Sequence, residues 1–116
     1  MRIYIAGPMR GVPKFNYPAF NKAAEALRAK GHTVFNPAEK DLKKYGKEIE
    51  DNSRGSITKA EKEVGFSLRE ALATDCRWIC LHADAVALLP GWAMSRGAKA
   101  EKALANALDL EVMYLK

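Results

Sequence analysis

The chain has 116 residues, of which 48% are hydrophobic and 28% charged, with a net charge of +5. That length is one domain, and that apolar content excludes a wholly disordered chain. No run approaches the ~18 apolar residues of a membrane span, and the start Met1-Arg-Ile-Tyr-Ile-Ala-Gly-Pro8 lacks the apolar core of a signal peptide, so a cytosolic protein is expected.

Arg2 to Ala6 is apolar and β-prone and is stopped by Gly7-Pro8, which predicts a first, central strand. Gly7 to Tyr17 reads as a loop. Asn16 followed by Pro18 predicts a helix start, and Phe20, Ala23, Ala24 and Leu27 give it an apolar stripe ending at Gly31. His32 to Phe35 is a second strand, closed by Asn36-Pro37. Residues 38–57 are polar and lysine-rich, and predict a variable loop, a lid or an oligomer contact, with a short helix around Leu42 to Ile49.

Thr58-Lys-Ala-Glu61 has the form of a capping box, opening a helix through Leu68 and Leu72 toward Trp78 with a break near Thr74-Asp75. Asp84 to Leu89 is a third strand, apolar on both faces. Ser95 caps the last helix, and Glu111 to Leu115 is a final strand. The alternation of strands and helices predicts an α/β fold, Rossmann-like or flavodoxin-like, with a parallel sheet of four to five strands flanked by helices. Ligands of such sheets sit beyond the carboxyl ends of the strands, where the turns after residues 2–6 and 84–89 fall.

The basic balance suits anionic partners such as phosphates. Much of it lies in Lys40, Lys43, Lys44 and Lys47, read as a solvated face. A nucleic-acid partner is not expected, since interleaved aromatics and groove-reading motifs are missing. Cys76 and Cys80 make neither a four-ligand zinc site nor a disulfide framework, even with His82 close by, and are read as buried reduced thiols.

Glu101 is the residue most out of place. It shares a helical stripe with Ala98, Leu104, Ala105 and Leu108, and a carboxylate there is costly unless paired, hydrated or functional. It can be a nucleophile, a base or an acceptor for a ribose hydroxyl, or else the partner of Arg10 or another cation. Ser95, six positions earlier, either caps the helix or caps it and holds a phosphate together with Gly97. The loop Gly7-Pro-Met9-Arg10-Gly11 is either a strand-exit turn or an anion-holding loop; it matches neither the Walker nor the dinucleotide fingerprint. Asp75, placed near a helix end, opposes the helix dipole there. Asp84 supplies a further carboxylate or caps a strand start. Tyr4 packs in the core or reaches a site at the sheet edge.

Ile3-Tyr-Ile-Ala-Gly-Pro-Met9, Phe15-Asn-Tyr-Pro-Ala-Phe20, Asn36-Pro-Ala-Glu39 and Leu89-Pro-Gly-Trp92 followed by Ser95-x-Gly97-Ala98-x-x-Glu101 together resemble the nucleoside 2-deoxyribosyltransferase superfamily. The likeness is greatest to a small branch common in phages and bacteria, and extends to the 2'-deoxynucleoside 5'-phosphate N-hydrolases. The resemblance implies cleavage of the N-glycosidic bond of a deoxynucleoside 5'-monophosphate. It assigns Glu101 as the nucleophile, Asp75 as the group protonating the leaving base and Tyr4 as the residue orienting the nucleophile. By the same resemblance Ser95, Arg10 and Gly11 hold the 5'-phosphate.

Gly7, Met9, Gly97 and Asp84 complete the expected substrate-binding set. So does Trp92, in a Pro90-Gly91-Trp92 segment additional to the hydrolase pattern, which either stacks on a base or closes the turn. Hydrolysis is favoured over transfer because Arg10, Ser95 and the basic balance suit a phosphate. A homodimer or larger assembly is implied, and neither metal nor cofactor is expected. The alternative is a non-catalytic sensor of nucleotides or ADP-ribose derivatives on the same fold.

Overall fold

The computed structural model describes residues 1–46, 49 and 52–116. In chain order the described elements are β1 (Arg2–Ala6), a 3-10 turn (Pro13–Asn16), α1 (Tyr17–Ala29), β2 (Thr33–Phe35), α2 (Pro37–Tyr45), α3 (Ile57–Val64), α4 (Leu68–His82), β3 (Ala85–Leu88), a second 3-10 turn (Trp92–Met94), α5 (Arg96–Ala107) and β4 (Glu111–Tyr114). The four strands form one parallel sheet in the order β2-β1-β3-β4, with Ile3 opposite Val34 on one side and Ala85 on the other. This is the expected Rossmann-like or flavodoxin-like architecture. No described helix is long and apolar enough to cross a membrane.

Both central strands are buried because each face of the sheet carries helices. Ile3, Ile5, Ala85 and Ala87 pack with Phe20, Ala24 and Leu27 of α1 and with Ile57 and Ala60 of α3. The alternate residues Tyr4, Ala6, Val86 and Leu88 pack with Ile79 of α4 and with Ala98 and Ala105 of α5. The period of two along β1 therefore sends Tyr4 to the same layer as the stripe that carries Glu101. After β1 the chain steps to β2 on one side, then crosses to β3 on the other. The carboxyl ends of β1 and β3 thus flank a topological switch point, where a crevice opens.

Three boundaries differ from the sequence expectation. The helix expected from residue 59 to about 78 is two helices, parted at Gly65 (φ +71°) rather than at Thr74-Asp75. Glycine takes this left-handed conformation without strain, and the Ser67 side chain then accepts from the Glu70 N–H to start α4. α3 is capped by Ser56, which accepts from the Lys59 N–H, and not by Thr58. α2 starts at Pro37, since Asn36 accepts from the Ala38 N–H and proline suits the first turn.

The short helix expected around Leu42 to Ile49 overlaps α2, and its part on Lys47 and Glu48 lies outside the described residues. Asn16 does precede a helix, but in a left-handed conformation and without a side-chain capping bond. Cys80 is exposed and Cys76 half-buried, so they are not a buried pair. Burial raises the Cys76 thiol, and the charges of Glu101 and Asp75 add to this, which keeps it protonated.

Candidate functional site

A pocket lies at the switch point, with a cavity of about 110 Å³ that opens to solvent. Gly7, Met9 and Arg10 reach it from the turn after β1, and Ser95, Gly97, Ala98 and Glu101 from the turn after β3 and the start of α5. α4 adds Leu68, Leu72 and Asp75, one helical stripe, and α2 adds Asp41. The remaining wall is aromatic and aliphatic, with Phe15, Tyr17, Phe20, Ile49, Ile57 and Phe66.

Glu101 is only 6% exposed. Its Oε2 accepts a hydrogen bond from the Tyr4 hydroxyl. Arg10 lines the pocket but makes no ion pair with it, so the cation-paired reading of Glu101 is set aside in favour of the tyrosine. Burial pushes the Glu101 carboxyl up to about 8. The Tyr4 hydrogen bond opposes this, the Asp75 charge adds to it, and Lys40 opposes it. Tyr4 itself is held well above its ordinary value by burial and then by the charges of Glu101 and Asp75, so it stays a donor.

Asp75 is 8% exposed and sits in the body of α4, not at its end. The dipole argument made for it from the sequence therefore falls away, and its burial takes over as the unusual feature. Its Oδ1 accepts from Lys40 Nζ at 2.8 Å. Burial raises its carboxyl, and the Lys40 hydrogen bond and charge oppose the rise. Lys40 is thus not part of a solvated face. α2 begins directly after β2, and Arg28 grips Glu39 through both terminal guanidinium nitrogens at 2.6 and 2.7 Å, and the next residue, Lys40, reaches Asp75.

Asp41 follows it. It is 5% exposed, accepts from the Tyr17 hydroxyl at 3.1 Å through Oδ2, and has its Oδ1 3.7 Å from Lys40 Nζ. Lys40, Asp41 and Tyr17 are site residues that the sequence reading missed. The signal was available for Asp41, which occupies the apolar stripe Pro37, Ala38, Asp41, just as Glu101 occupies that of α5.

Phe15 enters the pocket from an unusual turn. Lys14, Phe15 and Asn16 have φ of 55°, 51° and 62°, each in a region costly for residues with a side chain. The turn is held by the Gly11 N–H on the Gly55 carbonyl (2.9 Å) and the Lys14 N–H on the Asn52 carbonyl (2.8 Å). Gly55 has to be glycine, since a Cβ there would meet the Val12 carbonyl oxygen at 2.3 Å.

Ser95 caps α5, its Oγ accepting from the Ala98 N–H at 3.2 Å. It also lines the pocket, as do Gly7, Met9, Arg10 and Gly97. Three expected binding residues do not. Gly11 is exposed and serves the turn tied to Gly55. Trp92 packs against Tyr114 (ring centroids 5.9 Å apart) with Lys102 Nζ 5.2 Å over its ring, so it closes the turn and is no wall of the pocket. Asp84 precedes β3, at the amino end of the sheet, where it accepts from the Arg2 N–H at 2.7 Å. The hydrogen bond and charge of Arg2 hold its carboxyl below the usual range. It is a strand-start anchor on the far side of the sheet from the pocket.

Three buried carboxyls and two tyrosine residues therefore line a largely apolar crevice, and the Lys40 ammonium is bonded to one of the acids, Asp75. Two hydroxyls donate, one ammonium bridges two of the acids, and a capped helix start with Arg10 supplies an anion-favouring side. No curated protein and no solved structure matches the chain. A family model described as "Domain of unknown function (DUF4406)" matches residues 1–114, and the chain belongs to that family.

Proposed function

We propose that the protein is an N-glycosidase that hydrolyses the N-glycosidic bond of a deoxynucleoside 5'-monophosphate through Glu101. The observation that carries this reading is the arrangement around Glu101. A carboxyl buried in a pocket wall takes the Tyr4 hydrogen bond, shares the pocket with the carboxyl of Asp75, and lies two helical turns below a capped helix start. The motif likeness to deoxyribosyltransferases and 5'-phosphate N-hydrolases supports the same assignment.

In this mechanism ionised Glu101 attacks C1' of the deoxyribose. The C1'–N bond breaks with its electrons going to the base, and protonated Asp75 gives its proton to the leaving base. Tyr4 fixes the attacking oxygen. Water then attacks C1', Glu101 leaves as a carboxylate, and Asp75 takes the proton from the water. Ser95, Gly97 and Arg10 are assigned to the 5'-phosphate. Because attack needs Glu101 ionised and departure of the base needs Asp75 protonated, kcat/KM is bell-shaped in pH, with one limb set by Glu101 near 8. The exposed Leu68 and Leu72 at the pocket wall suit coverage by a second copy of the chain.

The test is incubation with a panel of deoxynucleoside 5'-monophosphates, reading free base by chromatography. Release by the wild type that disappears in Glu101→Gln is expected. Binding without release in both proteins overturns the catalytic reading. One observation favours a second reading, a non-catalytic nucleotide sensor: with its carboxyl at about 8, Glu101 holds a proton at neutral pH and can hydrogen-bond a ribose hydroxyl. The same panel separates the two.

A further inference from the structure

One wall of the pocket is carried by a strained turn. Phe15 lines the pocket, is 3% exposed, and packs beside Tyr17 and Phe66 with ring centroids 5.9 and 6.3 Å away. Its backbone forms a turn of left-handed helix with its neighbours: φ/ψ is 55°/28° at Lys14, 51°/26° at Phe15 and 62°/18° at Asn16. None of these is glycine, so each Cβ crowds a carbonyl oxygen. Burial of the Phe15 ring favours the turn as it stands, and the backbone opposes it. Two large terms of opposite sign leave a small difference, which is the condition for a two-position element.

The turn is bonded within itself and lightly bonded to its surroundings. The Val12 N–H donates to the Met9 carbonyl and the Phe15 N–H to the Val12 carbonyl. Toward the neighbouring loop run the Gly11 N–H to the Gly55 carbonyl and the Lys14 N–H to the Asn52 carbonyl. Gly11, at φ +82°, is a hinge at one end, and left-handed Asn16 is the hinge before α1. Other apolar walls are seated in regular elements: Ile5 in β1, Phe20 in α1, Ile57 in α3, Leu68 and Leu72 in α4. The cavity they enclose, about 110 Å³, is below the ~300–1,000 Å³ usual for small-molecule sites. A wall has to yield before a base and its sugar are both enclosed, and Phe15 is the wall whose departure relieves strain.

We infer that the turn of residues 11–16 is a gate: Phe15 closes the pocket in the free protein, and the turn unwinds to admit the nucleotide. For its ligand this rests on the nucleotide reading above. Binding is then weakened by the fraction of molecules that are closed. The strain at residues 14–16 sets that fraction, so it tunes affinity without touching the ligand.

Lys14 is the lever for a test, since its side chain is exposed and does not line the pocket. Lys14→Gly removes strain from the closed turn and favours closure. Lys14→Val adds strain, because a β-branched residue tolerates this region least, and favours opening. Hydrogen exchange read by NMR should show the Gly11 amide more protected in Lys14→Gly and less protected in Lys14→Val. Calorimetry with dAMP, dCMP, dGMP and dTMP, with base release followed in parallel, reads the ligand. For the nucleotide that binds best, affinity should run opposite to protection, weakest in Lys14→Gly and tightest in Lys14→Val, by at least about threefold at each step. With the ring removed by Phe15→Ala, the same Lys14 changes should leave affinity alone.

Affinity that rises with protection, affinity that stays flat while protection changes, equal protection in all three proteins, or no binding of any of the four nucleotides each overturns the inference. Should Lys14→Val or Phe15→Ala not fold, wild type against Lys14→Gly decides. Base release indifferent to the Lys14 series removes the gate and keeps the glycosidase reading. Affinity that follows the series without base release does the reverse.

Discussion

Glu101→Gln should make the protein more stable as well as inactive, with a gain that grows with pH. The Glu101 carboxyl moves from 4.5 to about 8 on folding. At ~1.4 kcal/mol for each tenfold change in proton affinity, ionising it in the folded protein costs on the order of 5 kcal/mol more than ionising it in the unfolded chain. The sign follows from which state holds the proton. Near pH 4 both states are mostly protonated and the cost is absent. Between about 4.5 and 8 the unfolded chain ionises while the folded protein keeps its proton, so wild-type stability falls as pH rises. Above about 8 both are ionised and the loss is complete.

Glutamine stays neutral throughout and its carbonyl can still accept from Tyr4. Its amide N–H groups gain no partner here, a cost of ~1–3 kcal/mol that does not vary with pH. The diagnostic is therefore the slope. Thermal unfolding of both proteins at pH 5, 6, 7 and 8.5 should show the Tm of the variant gaining on the wild type by roughly 10 °C or more across the series, at ~3–6 °C per kcal/mol for a domain of this size. A gap in Tm that stays constant from pH 5 to 8.5 would refute the claim that Glu101 is a buried acid held against its desolvation.

The other expectations concern the groups around it. Tyr4→Phe removes the hydrogen bond that lowers the Glu101 carboxyl, so the limb of the pH–rate profile set by Glu101 should move above 8, with about tenfold lower activity at pH 7; an unmoved limb would show that Tyr4 does not tune it. Lys40→Met takes away the cation that lowers Asp75, Asp41 and Glu101 together. Urea titrations should show a loss of up to ~3 kcal/mol at pH 8 and a smaller loss at pH 5, where Asp41 and Glu101 hold protons. Ser95→Ala should cost ~1 kcal/mol as a lost cap and weaken binding of 5'-monophosphates more than of nucleosides; equal weakening would remove Ser95 from the phosphate site. Gly55→Ala, with a Cβ 2.3 Å from the Val12 carbonyl and φ of +62°, should cost ~3 kcal/mol or more and release the turn that presents Phe15; an unchanged midpoint would show that the turn gives way freely.

Local pattern carried much of the fold. The four runs became strands within a residue of their expected ends, because the two central ones, buried on both faces, are apolar almost throughout, and Gly-Pro, Asn-Pro and Pro-Gly mark the limits of the first three. Glu101 was legible for the same reason, as a charge on a stripe that periodicity sends inward, and so was Ser95 at its helix start. Where two signals competed, the sequence misled. Gly65 and Ser67 stop and restart a helix that apolar spacing alone runs through, and Ser56 outcompetes Thr58 as a cap.

The tertiary structure decided which residues meet. Lys40 looked like one lysine among several until α2, pinned by Asn36 and by the Arg28–Glu39 pair, turned it onto Asp75. Asp84 and Trp92 stand close to Ser95 in the chain, yet one lies at the opposite end of the sheet and the other packs on Tyr114. Sequence determines the period and limits of each element, since those depend on neighbours along the chain. The pairing of Tyr4 with Glu101, 97 residues apart, and of Lys40 with Asp75, 35 apart, depends on strand order and helix docking, which only the folded chain fixes.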